Sequence, residues 1–266
     1  MKTAVITGSS RGLGFEMAKC FRKCGMNVVL NGVSLDRLQK ARHALESIPG
    51  NGKVLACSGD VCNDADLQSL IDKTVEEFGA IDIWINNAGV NQPMKPLWEL
   101  SENEIDQILG IDLKGTVIGS KLAMMQMIRQ GYGAIYNLEG YGSNDAMMLG
   151  FNMYGTGKRA VTHFTQALAK ECEERKTGVL VGRLSPGIMI TDFITTALGG
   201  KETIDLPEKT KKFYNIVGDH PDVVADYLVT EILKNTKNNI HIQWLTPRKV
   251  MWRFMTAGFN KRDFFA

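Results

Sequence analysis

Short apolar runs rich in β-branched residues alternate along the chain with longer stretches in which apolar positions recur every three or four residues. The short runs are apolar at consecutive positions, which is typical of strands covered on both faces of a sheet. Such strands alternating with helices predict a parallel sheet with crossover helices, here an α/β, Rossmann-type, doubly wound fold of seven strands. The predicted strands are residues 4–7, 27–31, 53–57, 81–86, 134–138, 179–184 and 240–245. The predicted helices lie near residues 12–24, 35–47, 65–78, 102–130, 152–174 and 222–234.

No internal repeat, low-complexity tract or linker interrupts this pattern, so we expect residues 1–266 to form a single domain. One segment, about residues 192–220, breaks the alternation before the last predicted strand and carries glycines, one proline and charges of both signs. Long insertions in compact domains are usually lids or binding loops, so we expect this one to cover a substrate. An apolar helix and tail are expected over about residues 247–266.

The net charge and the spacing of the cysteines indicate which classes of ligand the chain does not bind. Lysine and arginine total 31 against 29 aspartates and glutamates, a net charge of +2 that argues against nucleic acid as a partner. The five cysteines form no CxxC pair and no nearby histidine completes a zinc-like spacing, so no metal is expected. The chain enters a predicted strand at once, without a signal-peptide pattern, and no apolar run approaches the ~18 residues of a membrane span. We therefore expect a cytoplasmic protein that binds a small molecule.

The first predicted strand runs directly into a glycine-rich loop and then a helix. The loop, residues 8–14, reads GSSRGLG. Gly8 allows a tight turn, Gly12 lets the backbone approach a pyrophosphate, and Gly14 lets the helix pack on the strand. The helix N-terminus adds N–H donors for the phosphates. The spacing differs from the common GxGxxG, but its position predicts nucleotide binding. The expected cofactor contacts in this loop also include Ser10, Arg11 and Leu13.

The end of the second predicted strand indicates which nicotinamide cofactor is preferred. A carboxylate here would hydrogen-bond the ribose of NAD and repel a 2′-phosphate, but Gly32 and Val33 carry none. Arg11 and Arg37 can supply positive charge, and Ser34 a hydroxyl. We therefore expect NADPH to be preferred over NADH, with Val33, Ser34 and Arg37 among the residues that contact it.

Tyr154 and Lys158 place a phenol and an ammonium four residues apart on one face of a predicted helix. A neighbouring lysine favours the phenolate, so it would draw the pKa of the tyrosine down from about 10 towards the working pH. The pair therefore suits acid–base chemistry, and the lysine can also hydrogen-bond a ribose.

Together these motifs resemble the short-chain dehydrogenase/reductase (SDR) family. They occur in the family's order and extend from residue 3 to about residue 192. The matching segments are Thr7-Gly8 with Gly12-Leu13-Gly14, Asp60-Val61, Asn86-Asn87-Ala88-Gly89, Tyr154 with Lys158, and Ser185-Pro186-Gly187.

The resemblance implies a role for each motif. Asp60 and Val61 would hold the adenine, and residues 87–89 would flank the cofactor beside the fourth strand. Tyr154 would protonate the carbonyl oxygen of the substrate as hydride arrives from the nicotinamide. The implied contacts around the cofactor are Asn87, Ala88 and Gly89, with Pro186, Gly187, Ile188 and Thr191 at the nicotinamide and Thr191 bonding its carboxamide.

Two positions depart from the family pattern. The family usually has Asn-Ile-Ser-Ser after the fifth strand, but here Gly140 stands where the second serine is expected. Ser143 is the nearest hydroxyl that could replace that serine. Asp112 stands where an asparagine is common, and its negative charge would change the proton relay through the lysine. We therefore count Ser143 and Asp112 with Tyr154 and Lys158 as candidate catalytic residues.

The departures resemble the chlorophyll b reductase branch of the SDR family. The matching segments are Glu139-Gly140 with Gly142-Ser143, Lys95-Pro96-Leu97-Trp98-Glu99 and Trp244-Leu245-Thr246-Pro247-Arg248. The branch implies an NADPH-dependent reductase acting on a carbonyl or aldehyde of a bulky apolar substrate, with the formyl group of chlorophyll b or a related compound as candidate. The alternatives are an alcohol dehydrogenase acting oxidatively and a non-catalytic nucleotide-binding sensor. Flexible methionines expected near the nicotinamide end fit an apolar substrate, namely Met94, Met147, Met148, Met153 and Met189.

The C-terminal tail combines aromatic and basic residues and allows three interpretations. It can pack on its own domain or on a partner subunit, which we favour. It can also cap the pocket or lie on a membrane surface. The SDR resemblance implies a homodimer or homotetramer that pairs the helices predicted at residues 102–130 and 152–174.

Overall fold

Seven parallel strands form one sheet in the computed structural model, which describes residues 1–189, 208–259 and 262–265. The strands are β1 (Thr3–Ile6), β2 (Asn27–Gly32), β3 (Val54–Ser58), β4 (Ile83–Asn86), β5 (Gly133–Leu138), β6 (Val179–Ser185) and β7 (Ile240–Gln243). Their order across the sheet is β3-β2-β1-β4-β5-β6-β7. The chain runs outward from β1 in one direction and from β4 in the other, which opens a crevice at their carboxyl ends where such sheets bind ligands. The predicted fold class is confirmed.

Helices connect the strands and cover both faces of the sheet. They are α1 (Gly12–Lys23), α2 (Leu35–Glu46), α3 (Asp64–Phe78), α4 (Glu102–Ile108), α5 (Gly115–Gln130), α6 (Asn152–Arg175), α7 (Glu208–Val217), α8 (Pro221–Lys234) and α9 (Pro247–Thr256). Ser34 caps α2 by accepting a hydrogen bond from the Arg37 N–H, and Ser101 caps α4 in a capping box with Glu104.

The helix predicted near residues 102–130 covers that span, but it is not α-helical throughout. The structure inserts a π-helical segment, Leu109–Lys114, between α4 and α5. A π-helical turn contains more residues than an α-helical turn, so it changes which side chains face inward, and such turns often mark functional sites. Here Asp112 is fully buried, and the Thr116 hydroxyl donates to the Asp112 main-chain carbonyl at 2.8 Å.

The insertion expected over residues 192–220 is described only from residue 208 onward. It continues as α7, and Asp219 then forms a parallel bridge with Met189, the last described residue before the gap. Residues 192–207 lie outside the described residues, so the lid stays a prediction. Within the described ranges, no helix is long and apolar enough to cross a membrane.

Two apolar clusters pack on opposite faces of the sheet. One includes Phe21 of α1 and Leu228 of α8, and the other includes Ile71 of α3. Consecutive residues of β1 point into different clusters, with Ala4 in the first and Val5 in the second. Because both faces are covered, strands such as β1 are apolar at consecutive positions, from Ala4 to Ile6, rather than at alternate ones.

Replacing Phe21 should measure the contribution of the first cluster. The ring is fully buried between α1 and its neighbours, so Phe21→Ala should lower the free energy of unfolding by about 3–5 kcal/mol. Urea unfolding followed by circular dichroism measures this change. The matched control is Leu35→Ala at an exposed position of α2, which should shift stability by no more than about 0.5 kcal/mol. Equal losses in the two variants would contradict the assignment of the core.

Candidate active site

The glycine-rich loop between β1 and α1 has the shape of a phosphate cradle. Gly8 has φ of +61°, and a Cβ there would lie 2.7 Å from the Ala88 Cα. Gly12 has φ of +59°, and no atom lies within 4 Å of the position that its Cβ would take. Gly8 is therefore required by a close backbone contact, while Gly12 leaves its backbone open to a ligand beside the N-terminus of α1.

The loop after β4 is tied to the glycine-rich loop. Asn87 Nδ2 donates to the main-chain carbonyls of Thr7 and Gly8 at 2.9 and 3.1 Å. In return, the Thr7 hydroxyl oxygen accepts from the N–H groups of Asn87 and Ala88, each at 3.0 Å. A Cβ on Gly14 would lie 2.5 Å from the same Asn87 amide. Two motifs that are 80 residues apart in sequence therefore form one surface in the crevice between β1 and β4.

The residues expected at the adenosine end lie at the carboxyl ends of β2 and β3. Val33 is exposed, and the Ser34 hydroxyl accepts from the Arg37 N–H at 3.4 Å, so this serine caps α2. Asp60 accepts a hydrogen bond from Cys62 N, while Val61 is buried against Gly115. The structure therefore brings these candidates to one edge of the sheet, with no carboxylate at residues 32–34.

A buried polar network lies beneath the site and joins β4, β5, α5 and α6. Asn86 Nδ2 donates to Asn137 Oδ1 at 2.7 Å and to Ser120 Oγ at 2.9 Å. Asn137 Nδ2 donates to Thr165 Oγ1 at 2.9 Å, and Trp84 Nε1 donates to Asn86 Oδ1 at 2.8 Å. All five side chains are buried, and a satisfied buried network fixes the relative position of the elements that it joins.

Asp112 and Lys158 form a buried charged pair. Lys158 Nζ lies 3.9 Å from Asp112 Oδ2 and donates to the Leu138 carbonyl at 3.5 Å. Asp112 Oδ1 accepts from Val90 N at 2.9 Å, while Oδ2 has no hydrogen-bond partner among the described residues. Burial raises the pKa of the Asp112 carboxyl, and the charge of Lys158 and the Val90 N–H oppose this rise. Gly89 makes room for the pair, since a Cβ there would lie 2.8 Å from Asp112 Oδ1.

The phenol of Tyr154 is buried beside this pair. Lys158 Nζ lies 5.6 Å from the centroid of the tyrosine ring, and Phe151 packs edge-on against the ring at 6.0 Å between centroids. Burial raises the pKa of Tyr154 above its ordinary value, and the negative charge of Asp112 raises it further. The direction is opposite to the one expected from the lysine alone, so that expectation was wrong. The described surroundings keep the phenol protonated.

Gln92 positions the start of α6, the helix that carries Tyr154 and Lys158, and the sequence did not indicate this role. Its side chain is fully buried, and its Oε1 accepts from the Tyr154 main-chain N–H at 3.0 Å. Its Nε2 donates to the Gly150 carbonyl at 2.7 Å and to Asn152 Oδ1 at 3.3 Å. A glutamine in a polar loop carries no sequence signal for such a role, since only the packing of residues 91–98 against residues 141–152 buries it.

Gly140 leaves the space that the tyrosine occupies. A Cβ on residue 140 would overlap the Tyr154 hydroxyl oxygen and would lie 3.1 Å from Lys158 Cγ. Ser143 Oγ accepts from Gly140 N at 3.2 Å and donates to the Lys158 carbonyl at 3.4 Å. Both of these bonds are to main-chain atoms, so in this arrangement Ser143 holds the turn, and its participation in the reaction stays a prediction.

Glu139, which precedes Gly140, joins three strands to α6. Its carboxylate accepts from the Thr162 hydroxyl at 2.8 Å and from the Ser185 hydroxyl, and it lies 3.0 Å from His241 Nε2. Arg183 Nη1 also contacts it at 3.3 Å. Burial raises the pKa of Glu139, but the hydrogen bonds from His241, Ser185 and Thr162 outweigh it and hold the pKa at about 2. The carboxylate is therefore ionised and structural.

The loop expected to hold a nicotinamide follows β6. Gly187 has φ of +76°, and a Cβ there would lie 2.7 Å from the Leu245 Cβ. The main chain of this loop is held by hydrogen bonds from Trp244 N to the Ser185 carbonyl and from Asp219 N to the Ile188 carbonyl, each 3.0 Å long. Thr191 lies outside the described residues, so its proposed contact with the carboxamide stays a prediction.

The two loops that Gln92 joins carry exposed apolar side chains. Trp98 is 85% exposed, Met147 93% and Leu149 94%. Met94 and Met148 are also exposed and Met153 is half-buried. Contact of these methionines with a substrate stays a prediction. Met189 instead packs partly buried against the core. Among the described residues, no group of three or more His, Cys, Asp or Glu side chains could hold a metal.

The C-terminal segment packs on its own chain. Phe254 of α9 contacts Phe213 of α7 at 6.2 Å between ring centroids, and Phe265 stacks on Tyr214 at 6.4 Å. Arg253 pairs with Asp219 at 2.7 Å. These contacts agree with the first of the three interpretations of the tail, although the opposite face of α9 remains exposed at Met251, Trp252 and Met255.

Comparisons with known proteins agree with this geometry. A family model described as short chain dehydrogenase matches residues 2–199. Chlorophyll(ide) b reductase NOL of Oryza sativa subsp. japonica is 34% identical over 266 residues, which cover 97% of this chain and 76% of that protein. The probable chlorophyll(ide) b reductase NYC1 of the same plant is 31% identical over 280 residues, and the match covers 99% of this chain but only 54% of NYC1.

Solved structures show the same fold. An alcohol dehydrogenase from the archaeon Thermococcus sibiricus, complexed with 5-hydroxy-NADP, superimposes with a TM-score of 0.74 and 26% identity, covering 92% of this chain and 96% of that one. The family match, the relatives and the site geometry lead to one conclusion. The chain belongs to the short-chain dehydrogenase family and is an oxidoreductase.

Proposed function

We propose that this protein is an NADPH-dependent reductase that converts an aldehyde or ketone of a bulky apolar substrate into an alcohol. The formyl group of chlorophyll b, or of a related compound, is the leading candidate. The observation that carries the proposal is the buried phenol of Tyr154, which burial and Asp112 keep protonated. The two relatives described as chlorophyll(ide) b reductases support the substrate class.

The phenol acts as the proton donor. A carbonyl oxygen beside the Tyr154 hydroxyl would accept a hydrogen bond and then the proton as negative charge develops on that oxygen. The ammonium of Lys158, 5.6 Å from the centroid of the tyrosine ring, stabilises the phenolate that remains. Hydride would be supplied to the carbonyl carbon by the reduced nicotinamide when the cofactor is bound.

The residues present fit a dinucleotide. The open backbone at Gly12 and the N-terminus of α1 would hold the pyrophosphate, and Lys158 would reach the ribose next to the nicotinamide. At the other end, Val33 and Ser34 present no carboxylate, and the cation of Arg37 suits a 2′-phosphate. The Thermococcus sibiricus enzyme, described with an NADP derivative, supports the preference for NADPH.

The apolar rim supports a large, flat substrate. Trp98, Met147 and Leu149 expose most of their surface, and they lie on the two loops that Gln92 joins before the start of α6. Exposed apolar side chains of this size can bind an apolar ligand, and flexible methionines adapt to its shape. We also propose that the protein forms a homo-oligomer through α5 and α6, since Met125 and Ile128 of α5 are exposed.

Removing the phenol hydroxyl should abolish reduction. In Tyr154→Phe, we expect NADPH oxidation with an aromatic aldehyde or a formyl-bearing tetrapyrrole to fall by about 10²-fold or more, because a general acid typically contributes this much. Absorbance at the nicotinamide band measures the rate, with NADPH and NADH compared in the wild type. Tyr132→Phe, at an exposed position, is the matched control. An unchanged rate in Tyr154→Phe, or a wild type that only oxidises alcohols, would overturn the proposal.

Restoring the serine of the family should impair the enzyme. A Cβ on residue 140 would overlap the Tyr154 hydroxyl oxygen, so Gly140→Ser should displace the phenol and lower kcat by about 10²-fold. Gly258→Ser is the control, because no atom lies within 4 Å of the position of a Cβ there. If Gly140→Ser were as active as the wild type, the glycine would have no role in positioning Tyr154.

Removing the negative charge of Asp112 should shift the pH dependence of kcat to lower pH. Reduction requires the protonated phenol, so the rate falls as pH rises through the Tyr154 pKa. Asp112 raises that pKa, and the neutral side chain of Asp112→Asn should therefore shift the alkaline limb of kcat to lower pH. Asp106→Asn, at an exposed position of α4, should leave the profile unchanged. A shift to higher pH, or no shift, would exclude this electrostatic role.

A further inference from the structure

A closed ring of hydrogen bonds surrounds the loop between Ser185 and Ile188. Trp244 N donates to the Ser185 carbonyl and Asp219 N donates to the Ile188 carbonyl, each at 3.0 Å. The ring is completed by the Trp244 indole, whose Nε1 donates to Asp219 Oδ2 at 2.7 Å. Two residues from different parts of the chain, in direct contact with each other, therefore hold both ends of this loop.

The C-terminal segment neutralises the carboxylate in this ring. Arg253 binds Asp219 through both terminal nitrogens, at 2.7 and 3.0 Å, and Arg262 Nη1 binds Asp219 Oδ1 at 3.2 Å. Arg253 also donates to the Val217 carbonyl at 2.8 Å, and Arg262 donates to the Ile216 and Gly218 carbonyls. Asp219 is only 8% exposed, and a carboxylate so buried requires such charged partners.

Trp244, the other residue that bonds this loop, is also held by its neighbours. The Trp244 ring contacts Tyr227 of α8 at 5.1 Å between centroids, and the ammonium of Lys249 lies over its face. The next residue, Leu245, packs under Gly187. The loop after β6 is therefore supported from below by residues that follow β7, and its shape depends on the part of the chain beyond Asp219.

We propose that Asp219 and Trp244 are positioning residues for the nicotinamide half of the cofactor, and that α9 and the tail act through Arg253 and Arg262 to keep Asp219 in place. The inference rests on the proposed function only in that a nicotinamide cofactor binds with its ring at Pro186–Ile188. Main-chain groups of this loop that contact the nicotinamide must be fixed before binding if affinity is not to be lost in ordering them.

The test compares two ligands that differ in the nicotinamide alone. Isothermal titration calorimetry measures binding of NADP⁺ and of 2′-phospho-ADP-ribose, which lacks the nicotinamide ring. Trp244→Phe keeps the aromatic ring and removes the indole N–H, and Arg253→Gln removes one charge from Asp219. Each should weaken NADP⁺ binding by about tenfold, the usual effect of losing a hydrogen bond to a charged group. Each should leave binding of 2′-phospho-ADP-ribose within about twofold of the wild type.

Matched controls lie on the same helix. Trp252→Phe and Arg248→Gln alter exposed residues of α9 and should bind both ligands as the wild type does. Thermal unfolding shows whether each variant is folded, and Arg262→Gln, which also removes one charge from Asp219, replaces Arg253→Gln if the latter does not fold.

Each result separates this inference from the proposed reductase activity. Selective loss of NADP⁺ affinity in Trp244→Phe supports the positioning role, even if no aldehyde is reduced by the wild type. Equal weakening of both ligands would mean general loosening of the fold and would overturn it. Unchanged affinity for both, or a wild type that binds the two ligands equally well, would overturn it as well.

Discussion

A hydrogen bond from Asn86 to Asn137 joins the ends of β4 and β5 beneath the candidate site, and the relative positions of the elements around that site depend on it. The same two amides bond Ser120 of α5 and Thr165 of α6, so the helices that carry the reactive residues are fixed to the sheet by polar contacts in a dry interior. Directional bonds of this kind specify one position, whereas apolar packing alone tolerates sliding. A Cβ on Gly119 would overlap Asn86 Oδ1, which shows how closely α5 approaches.

The protonation states of Asp112 and Tyr154, which lie above this network, are governed by their burial. Asp112 and Lys158 are both removed from water and lie 3.9 Å apart, so each reduces the cost of burying the other. The phenol beside them is held in its neutral form, because its burial and the negative charge of Asp112 both raise its pKa. The π-helical turn that places Asp112, and the glycines at 89 and 140 that leave room for the carboxylate and the phenol, are parts of the same arrangement.

Much of this could be predicted from the sequence. The strands and helices follow from the spacing of apolar residues, because a parallel sheet covered on both faces requires consecutive apolar positions. The glycine-rich loop and the Tyr154–Lys158 pair were identified from their spacing and their place after particular strands. The interruption of the helix at Leu109–Lys114 could not be predicted, since nothing local distinguishes these residues from an ordinary helix. The contacts of Gln92 with Gly150 and of Asp219 with Trp244 could not be predicted either, because each joins residues that are far apart in the chain.

The sequence by itself determined the order of the elements, the fold class and the family, because periodicity and motif spacing are properties of neighbouring residues. Only the tertiary structure shows that burial and Asp112 raise the pKa of Tyr154, and that a side chain at residue 140 would overlap the Tyr154 hydroxyl. It alone also shows which residues hydrogen-bond the loop after β6. Each depends on contacts between residues far apart in the chain, such as Asp112 with Lys158 or Asp219 with Arg253. A pKa or a steric limit is set by burial and distance, and both exist only once the chain has folded.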